Sequence, residues 1–365
     1  MSKVWTKIGH ADKKYESGLI ASLQIPVTWP SSDCDKNQIQ SLDNPKEAHH
    51  WRTVETPREI AFYLKLRNKL HFGQAKGTPF TIPPLEEEFD WAANSRYSEM
   101  VLDGTYSNSE LSFLEQKLLD HCKKERNADI IGKEISVAEW KDKIQVWKER
   151  TTTSPSGKHL GHYKALLSRG SDDPQSIEGK EFASKQKKLV QVHVDMLNYA
   201  IRYRYSYKRW QIIINIILPK EKGNNKIHRI RIIHIYKADY SALIGVTWRN
   251  LVKSSENWNT IHKGQVGGRA GHDANTLTFM EEMKNKISHC SQKPLVNFDN
   301  DAVACYNRII PNVANLIGRK KGLHRNITFV HATTLAEAKF KLKTALGVSD
   351  DYYQHCEMFP IYGTG

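Results

Sequence analysis

Two apolar, β-branched runs joined by a polar turn constrain the fold of this chain most strongly. The runs cover residues 211–218 (QIIINIIL) and 227–235 (IHRIRIIHI), and the turn contains Glu221-Lys-Gly-Asn-Asn225. β-Branched residues favour strands, whereas Gly and Asn favour tight turns. We therefore predict an antiparallel hairpin over residues 211–235. Five cations should lie near its turn or along one side: Lys220, Lys222, Lys226, Arg229 and Arg231.

Outside the hairpin, the spacing of apolar residues predicts mostly helices. Ser107-x-x-Glu110 and Ser136-x-x-Glu139 both have the pattern of a capping box, which starts a helix. The first precedes Leu111, Leu114 and Leu118, and the second precedes a stripe of Val137, Trp140, Ile144 and Trp147, which we interpret as a core face. Further helices are expected over 58–70, 186–203, 239–252, 273–286 and 311–322.

Length and composition indicate a folded, basic protein of two or three domains with at least one sizeable core. The chain has 365 residues, and 54 Lys and Arg against 40 Asp and Glu give a net charge of +14. Such an excess favours a polyanionic partner such as nucleic acid. No apolar run is long enough to cross a bilayer, and the N-terminus lacks the apolar core of a secretory signal. We therefore expect an intracellular protein of nucleus or cytoplasm, with no membrane partner.

Changes in composition divide the chain into four segments. Residues 1–55 are polar and rich in proline, which predicts an irregular N-terminal segment. Residues 56–150 form a mostly helical extension, which ends at the turn-rich sequence TTTSPSG. Residues 151–209 form a helical connection into the last segment, 210–365, where the strand pattern appears.

Two acids follow a short apolar run near the C-terminus. The run 295–299 (LVNFD) predicts a strand that ends at Asp299, and Asp301 comes two residues later. A carboxylate at a strand end that points into a cleft suits a Mg²⁺ site for phosphoryl transfer. The alternative is an acid that caps a helix or stabilises a turn.

The segment 202–210 (RYRYSYKRW) alternates cations and aromatic rings. Cations bind a phosphate backbone and aromatic rings stack on bases, so the composition suits nucleic acid. The alternative is a solvated helix end whose rings are buried. The sequence favours neither interpretation of this segment.

The order of motifs from residue 210 onwards resembles the fingers and early palm of non-LTR reverse transcriptases. IILPKEKGNN and HRIRIIHIYKADYSALIG resemble the two fingers strands, and GQVGGRAGHDANTL resembles the Gln-x-Gly-x-Arg segment that follows them. FDNDAVACYNRI resembles polymerase motif A, and IYGTG resembles the opening of motif B. Upstream segments are similar to reverse-transcriptase-like proteins of algae and other protists.

The resemblance implies a fold, a reaction and a set of residues. The fold is α+β, with right-hand polymerase fingers and a partial palm after a mostly helical N-terminal extension. The implied partners are an RNA template, a DNA primer and deoxynucleoside triphosphates, with Mg²⁺ as cofactor. Asp301 would be the catalytic metal ligand, aided by the carbonyl of Ala302. Lys220, Arg231 and Tyr306 would bind the nucleotide, and Gln265 and Arg269 the template.

The chain departs from the family pattern in two ways. Asn307 stands where motif A usually ends in Asp, and motif C, with the other metal-binding carboxylates, is absent. Because two-metal chemistry needs carboxylates from both motifs, we expect this polypeptide not to polymerise. Three interpretations stay open: a reverse transcriptase domain, a non-catalytic nucleic-acid-binding remnant and a helical scaffold with incidental charge.

Overall fold

The computed structural model describes most of the chain. The described residues are 18–33, 42–72, 75–124, 130–148, 156–168, 173, 175–262, 264–269, 271–296 and 309–354. The protein is a mixed α/β structure in which helices surround two small sheets. The expected mixture of helices and strands is therefore confirmed.

The elements of the N-terminal half are mainly helices. They are β1 (Leu23–Pro26), β2 (Trp51–Val54), α1 (Pro57–Phe72), α2 (Leu85–Glu88), α3 (Arg96–Asp103), α4 (Phe113–His121), α5 (Val137–Gln145), α6 (Gly161–Ala165) and α7 (Ile177–Tyr203). The C-terminal half adds the larger sheet. Its elements are β3 (Ile212–Pro219), β4 (Ile230–Ile235), α8 (Ala238–Asn257), α9 (Ala274–Ser291), α10 (Pro311–Lys320), α11 (Arg325–Ala336), β5 (Lys339–Thr344) and β6 (Gly347–Val348).

The hairpin predicted from the two β-branched runs is confirmed. β3 and β4 pair antiparallel, with Ile214 opposite Ile235 and Leu218 opposite Arg231. β3 also pairs in parallel with β5, so the four-stranded sheet has the order β4-β3-β5-β6. β3 is one of its two inner strands and is buried over most of its length, because residues of α1 pack with Ile217 on one face and Leu19 packs with Ile214 and Ile216 on the other.

The N-terminal segment differs from the irregular structure expected for residues 1–55. β1 and β2 form an antiparallel pair, and Ile20, Leu23 and Ile25 are fully buried against α1. The sequence signal is weak because each strand has only four residues. The strands are stabilised by burial of apolar side chains rather than by local propensity.

One of the two predicted capping boxes is correct. Ser136 accepts a hydrogen bond from the backbone N–H of Glu139, and the Glu139 carboxylate accepts one from the backbone N–H of Ser136. The box predicted at Ser107 is wrong, since α4 begins five residues later with a box formed by Ser112 and Glu115. The expected apolar face of Leu114 and Leu118 is consequently exposed, and Leu119 is the buried residue.

The tryptophan stripe of α5 is a core face, as expected. Trp140 and Ile144 are buried in a cluster with residues of α7 and α8. On α7 the four predicted core residues are all buried: Val190, Val194, Leu197 and Ile201. That helix begins at Ile177, nine residues before the expected start, and Ser176 caps it by accepting from the N–H of Gly179.

The expected strand at 295–299 is only partly within the described residues. Leu295 and Val296 have no regular secondary structure, and residues 297–299 lie outside the residues that the structure describes. The β5–β6 hairpin at the other end of the sheet was not expected from the sequence.

Candidate anion-binding site

The end of the β3–β4 hairpin brings two predicted nucleotide-binding residues to one face of the sheet. The backbone N–H of Lys220 donates to the carbonyl of Arg229 at 2.7 Å, and Leu218 stands opposite Arg231. Side chains alternate between the faces of a strand, so Lys220 and Arg231 share the face of Leu218. Both side chains are exposed.

Three lysines of β5 continue this face. Lys339, Lys341 and Lys343 stand beside Ile212, Ile214 and Ile216 in the parallel register. Phe340 and Leu342 between them are buried, as alternation along the strand requires. We call the five cations Lys220, Arg231, Lys339, Lys341 and Lys343 the basic sheet face. Between its cations lie isoleucines that pack with Leu19.

The positive charge of this face is not neutralised by nearby carboxylates. Within the described part of the chain, none of its five cations forms an ion pair, whereas the neighbouring Arg229 lies 3.5 Å from Glu221. Burial lowers the pKa of Lys220, and nearby positive charges lower it further. Those charges belong to Arg67, Arg229, Arg231 and Lys46. Such a concentration of like charge favours a bound anion.

A buried arginine of α1 fixes the end of the hairpin. Arg67 donates from Nε to the carbonyl of Ile227 at 3.1 Å and from Nη2 to that of Ile230 at 3.0 Å. Its Nη1 donates to the side chain of Asn68 at 3.1 Å. Burial lowers the pKa of Arg67 to about 10, partly opposed by Tyr353. Arg67 therefore holds the β3–β4 end in place and adds to its positive potential.

The positive charges at this end of the hairpin also act on two histidines. Burial lowers the pKa of His71 to about 4, and the charges of Arg67, Lys220 and Lys46 lower it further. The pKa of His228 is also lowered, first by burial and then by surrounding cations. Both imidazoles are therefore neutral at pH 7 and add no further positive charge at this end of the hairpin.

A buried polar network ties the sheet to α1. The hydroxyl of Tyr353 accepts hydrogen bonds from Nδ2 of Asn68, at 2.8 Å, and from Nδ2 of Asn215. Oδ1 of Asn215 in turn accepts from Nδ1 of His234 across the β3–β4 pair. Buried polar groups that satisfy one another specify a single arrangement of the core. The network keeps β3 and β4 in register with the helix that carries Arg67.

The two predicted template residues make contacts within their own region. Nη2 of Arg269 donates to the carboxylate of Glu256 at 2.7 Å, and Nε bonds to its other oxygen. That hydrogen bond holds the pKa of Glu256 below its ordinary value. The side chain of Gln265 donates to the carbonyl of Gly267 at 3.2 Å. Both residues thus stabilise the loop 264–269, and Arg269 joins it to α8.

The remaining predicted residues, Asp301, Ala302 and Tyr306, lie outside the described residues, as does Asp299. Within the described ranges, no three His, Cys, Asp or Glu side chains come close enough to hold a metal ion. The expected Mg²⁺ site therefore stays a prediction.

An open groove of about 630 Å³ lies elsewhere, between α1 and the β5–β6 hairpin. Its lining includes Arg58 and Lys65 but also Asp350 and Asp351, and Lys65 pairs with Asp351. Because charges of both signs are present, this groove does not select anions as the basic sheet face does.

Sequence reasoning missed Arg67 and the three lysines of β5. The alternation of KFKLKT over residues 339–344 is a strand signal that could have revealed the lysines. For Arg67 no local signal exists, since its partners are backbone carbonyls far away in sequence.

The chain matches no family model and no curated protein. Among the described helices, none is both long and apolar enough to cross a bilayer. Fold and site together define a mixed α/β protein with a cation-rich sheet face that suits a polyanionic ligand.

Proposed function

We propose that the chain is part of a reverse transcriptase and that the hairpin end of its basic sheet face binds the triphosphate of a deoxynucleotide. The observation that carries the proposal is the antiparallel hairpin with Lys220 and Arg231 on one face. Neither cation has a carboxylate partner among the described residues. The order of sequence motifs supports the same assignment.

The two cations would have different roles. The ammonium of Lys220 is a compact point charge, and the guanidinium of Arg231 offers parallel N–H groups that match two phosphate oxygens. Arg67 would not touch the ligand; it positions the strands by its hydrogen bonds to Ile227 and Ile230. The surrounding charges raise the local concentration of anions and so favour binding.

The rest of the proposed machinery follows from the resemblance. Asp301 and the carbonyl of Ala302 would hold Mg²⁺, which supplies charge neutralisation at the phosphates when bound. Tyr306 would pack under the sugar and exclude a 2′-hydroxyl. Gln265 and Arg269 would border the RNA template, with the DNA primer as the other nucleic-acid partner. The loop that carries them is held by the Arg269–Glu256 contact.

Equilibrium binding of dTTP by the full chain tests this proposal. Lys220→Gln and Arg231→Gln should each weaken binding about tenfold to about 100-fold, as expected for loss of a charge-assisted hydrogen bond. Lys222→Gln is the matched control, because Lys222 is an exposed cation of the same turn that the proposal does not use. Equal losses in all three variants would show only a general effect of charge and contradict the proposal.

A non-catalytic nucleic-acid-binding role is the second candidate. The observation that favours it is the row of lysines on β5, which extends the basic face beyond the size of one nucleotide. Replacing Lys339 and Lys343 by Gln should lower the affinity for RNA and reduce its dependence on salt. If the chain binds RNA but dTTP binding does not respond to Lys220→Gln, this second role is the better description.

A further inference from the structure

Three tyrosines at the end of α7 expose their rings. The exposed fractions are 52% for Tyr199, 61% for Tyr203 and 46% for Tyr205. Aromatic side chains usually bury most of their large surface, so three half-exposed neighbours indicate a binding surface. Within segment 202–210, Tyr203 and Tyr205 are exposed, Tyr207 is half-buried and Trp210 is fully buried, so the alternative of a helix end with buried rings holds only for part of the segment.

The rings form a continuous row. Ring centroids lie 4.6 Å apart for Tyr199 and Tyr203, and 6.4 Å apart for Tyr199 and Tyr205. The row continues at 5.1 Å to Tyr207 and at 4.8 Å to the buried Trp210. The outer rings are therefore supported from within, and less conformational entropy is lost when a ligand binds.

The backbone builds this row at the helix end. Arg204 has the left-handed conformation, with φ 54°, and ends α7. The N–H of Tyr205 then donates to the carbonyl of Ala200 at 2.8 Å, which turns the chain back toward the helix. The hydroxyl of Tyr207 donates to the carbonyl of Met196 at 3.1 Å and anchors the returning segment.

Cations surround the rings. Arg202, Arg204 and Lys208 are exposed, and no acid occurs in the sequence from 196 to 210. The nearest acid along the helix, Asp195, accepts a hydrogen bond from Gln191, and Arg209 is paired with Asp239. Arg204 is held in place, because its Nε donates to Oδ1 of Asn326 at 2.9 Å.

We propose that this tyrosine surface, made of Tyr199, Tyr203, Tyr205, Arg202, Arg204 and Lys208, binds single-stranded nucleic acid. Exposed rings in a row stack on successive unpaired bases, and cations between them contact the phosphates. The surface is carried by α7 and its C-terminal turn, not by the basic sheet face. It does not depend on nucleotide binding at Lys220 and Arg231.

Fluorescence anisotropy with a labelled single strand of about 20 nucleotides tests the proposal in the full chain. Tyr203→Ala and Tyr205→Ala should each weaken binding about fivefold to about 100-fold, and Tyr203→Phe should stay within about twofold of the wild type. Tyr97→Ala is the matched control, because Tyr97 is also exposed but belongs to α3. Duplex of the same length should bind more weakly, since its bases are already stacked.

Charge substitutions provide a second readout. Arg202→Gln and Lys208→Gln should each lower the slope of log affinity against log salt by about 0.7. Lys187 is an exposed cation nearer the N-terminus of α7, away from the tyrosine surface, and Lys187→Gln should leave the slope unchanged.

Three outcomes would overturn the proposal. Either tyrosine-to-alanine variant could bind like the Tyr97→Ala control, or Tyr203→Phe could lose as much affinity as Tyr203→Ala. The tyrosine variants could also keep their nucleic-acid affinity and instead alter self-association, which would make this a protein-binding surface. Circular dichroism of each variant should match the wild type, because the substituted side chains are exposed.

Discussion

Replacing Arg67 by methionine should destabilise the protein and loosen the β3–β4 hairpin. Arg67 is 8% exposed and donates to the carbonyls of Ile227 and Ile230. Methionine has similar length but no donor, so both buried carbonyls lose their charged partner. Each lost hydrogen bond costs about 1–3 kcal/mol. Removing the buried guanidinium charge, which has no carboxylate partner among the described residues, returns part of its desolvation cost. We expect a net loss of about 2–4 kcal/mol in the free energy of unfolding.

Urea denaturation followed by tryptophan fluorescence measures this loss. Arg58→Met is the matched control: Arg58 is an exposed arginine of the same helix and should change stability by less than about 0.5 kcal/mol. The Arg67→Met protein should also bind dTTP more weakly, because the strands that carry Lys220 and Arg231 are no longer held. A variant as stable as the wild type would refute the role assigned to Arg67.

Three further predictions concern other buried or capping groups. Hydrogen bonds from Ser136 and Asn250 outweigh burial and hold the pKa of Glu139 below its ordinary value. The stability that the ionised Glu139 carboxylate contributes should therefore be lost as pH falls below about 4.5. Glu139→Gln should remove this part of the pH dependence of stability in acid denaturation curves. Burial lowers the pKa of His234 to about 4, so unfolding becomes easier as pH falls from 6.5 toward 4. His234→Gln should remove a loss on the order of 2 kcal/mol between pH 7 and pH 5 in urea titrations. Arg319→Met leaves Glu99 and the carbonyl of Ala93 without their buried partner and should cost about 3–5 kcal/mol in thermal or urea unfolding.

The β3–β4 hairpin could be predicted because its signals are local. β-Branched runs and a Gly-Asn turn determine both strands, and they also place Lys220 and Arg231 at its end. The same holds for the α5 capping box, where Ser136 and Glu139 are three residues apart. In all these cases the decisive contacts join residues that are close in sequence.

Other parts depend on distant contacts. Arg67 is 160 residues from Ile227, so nothing around it in sequence indicates its role. β5 pairs in parallel with a strand more than 120 residues earlier, which local propensity does not reveal. The wrong start of α4 has another cause: two Ser-x-x-Glu patterns, at 107–110 and 112–115, follow one another there. Burial of Leu119 rather than Leu118 decides between them.

The most direct test of the proposed nucleotide site compares the affinities of the full chain for dTTP, dTMP and thymidine by isothermal titration calorimetry. If Lys220 and Arg231 bind a triphosphate, the wild type should prefer dTTP to thymidine by at least about 100-fold. In the Lys220→Gln, Arg231→Gln double variant this preference should largely disappear, while thymidine binding stays unchanged. Equal affinity of the wild type for all three ligands, or a double variant that keeps the preference, would contradict the account.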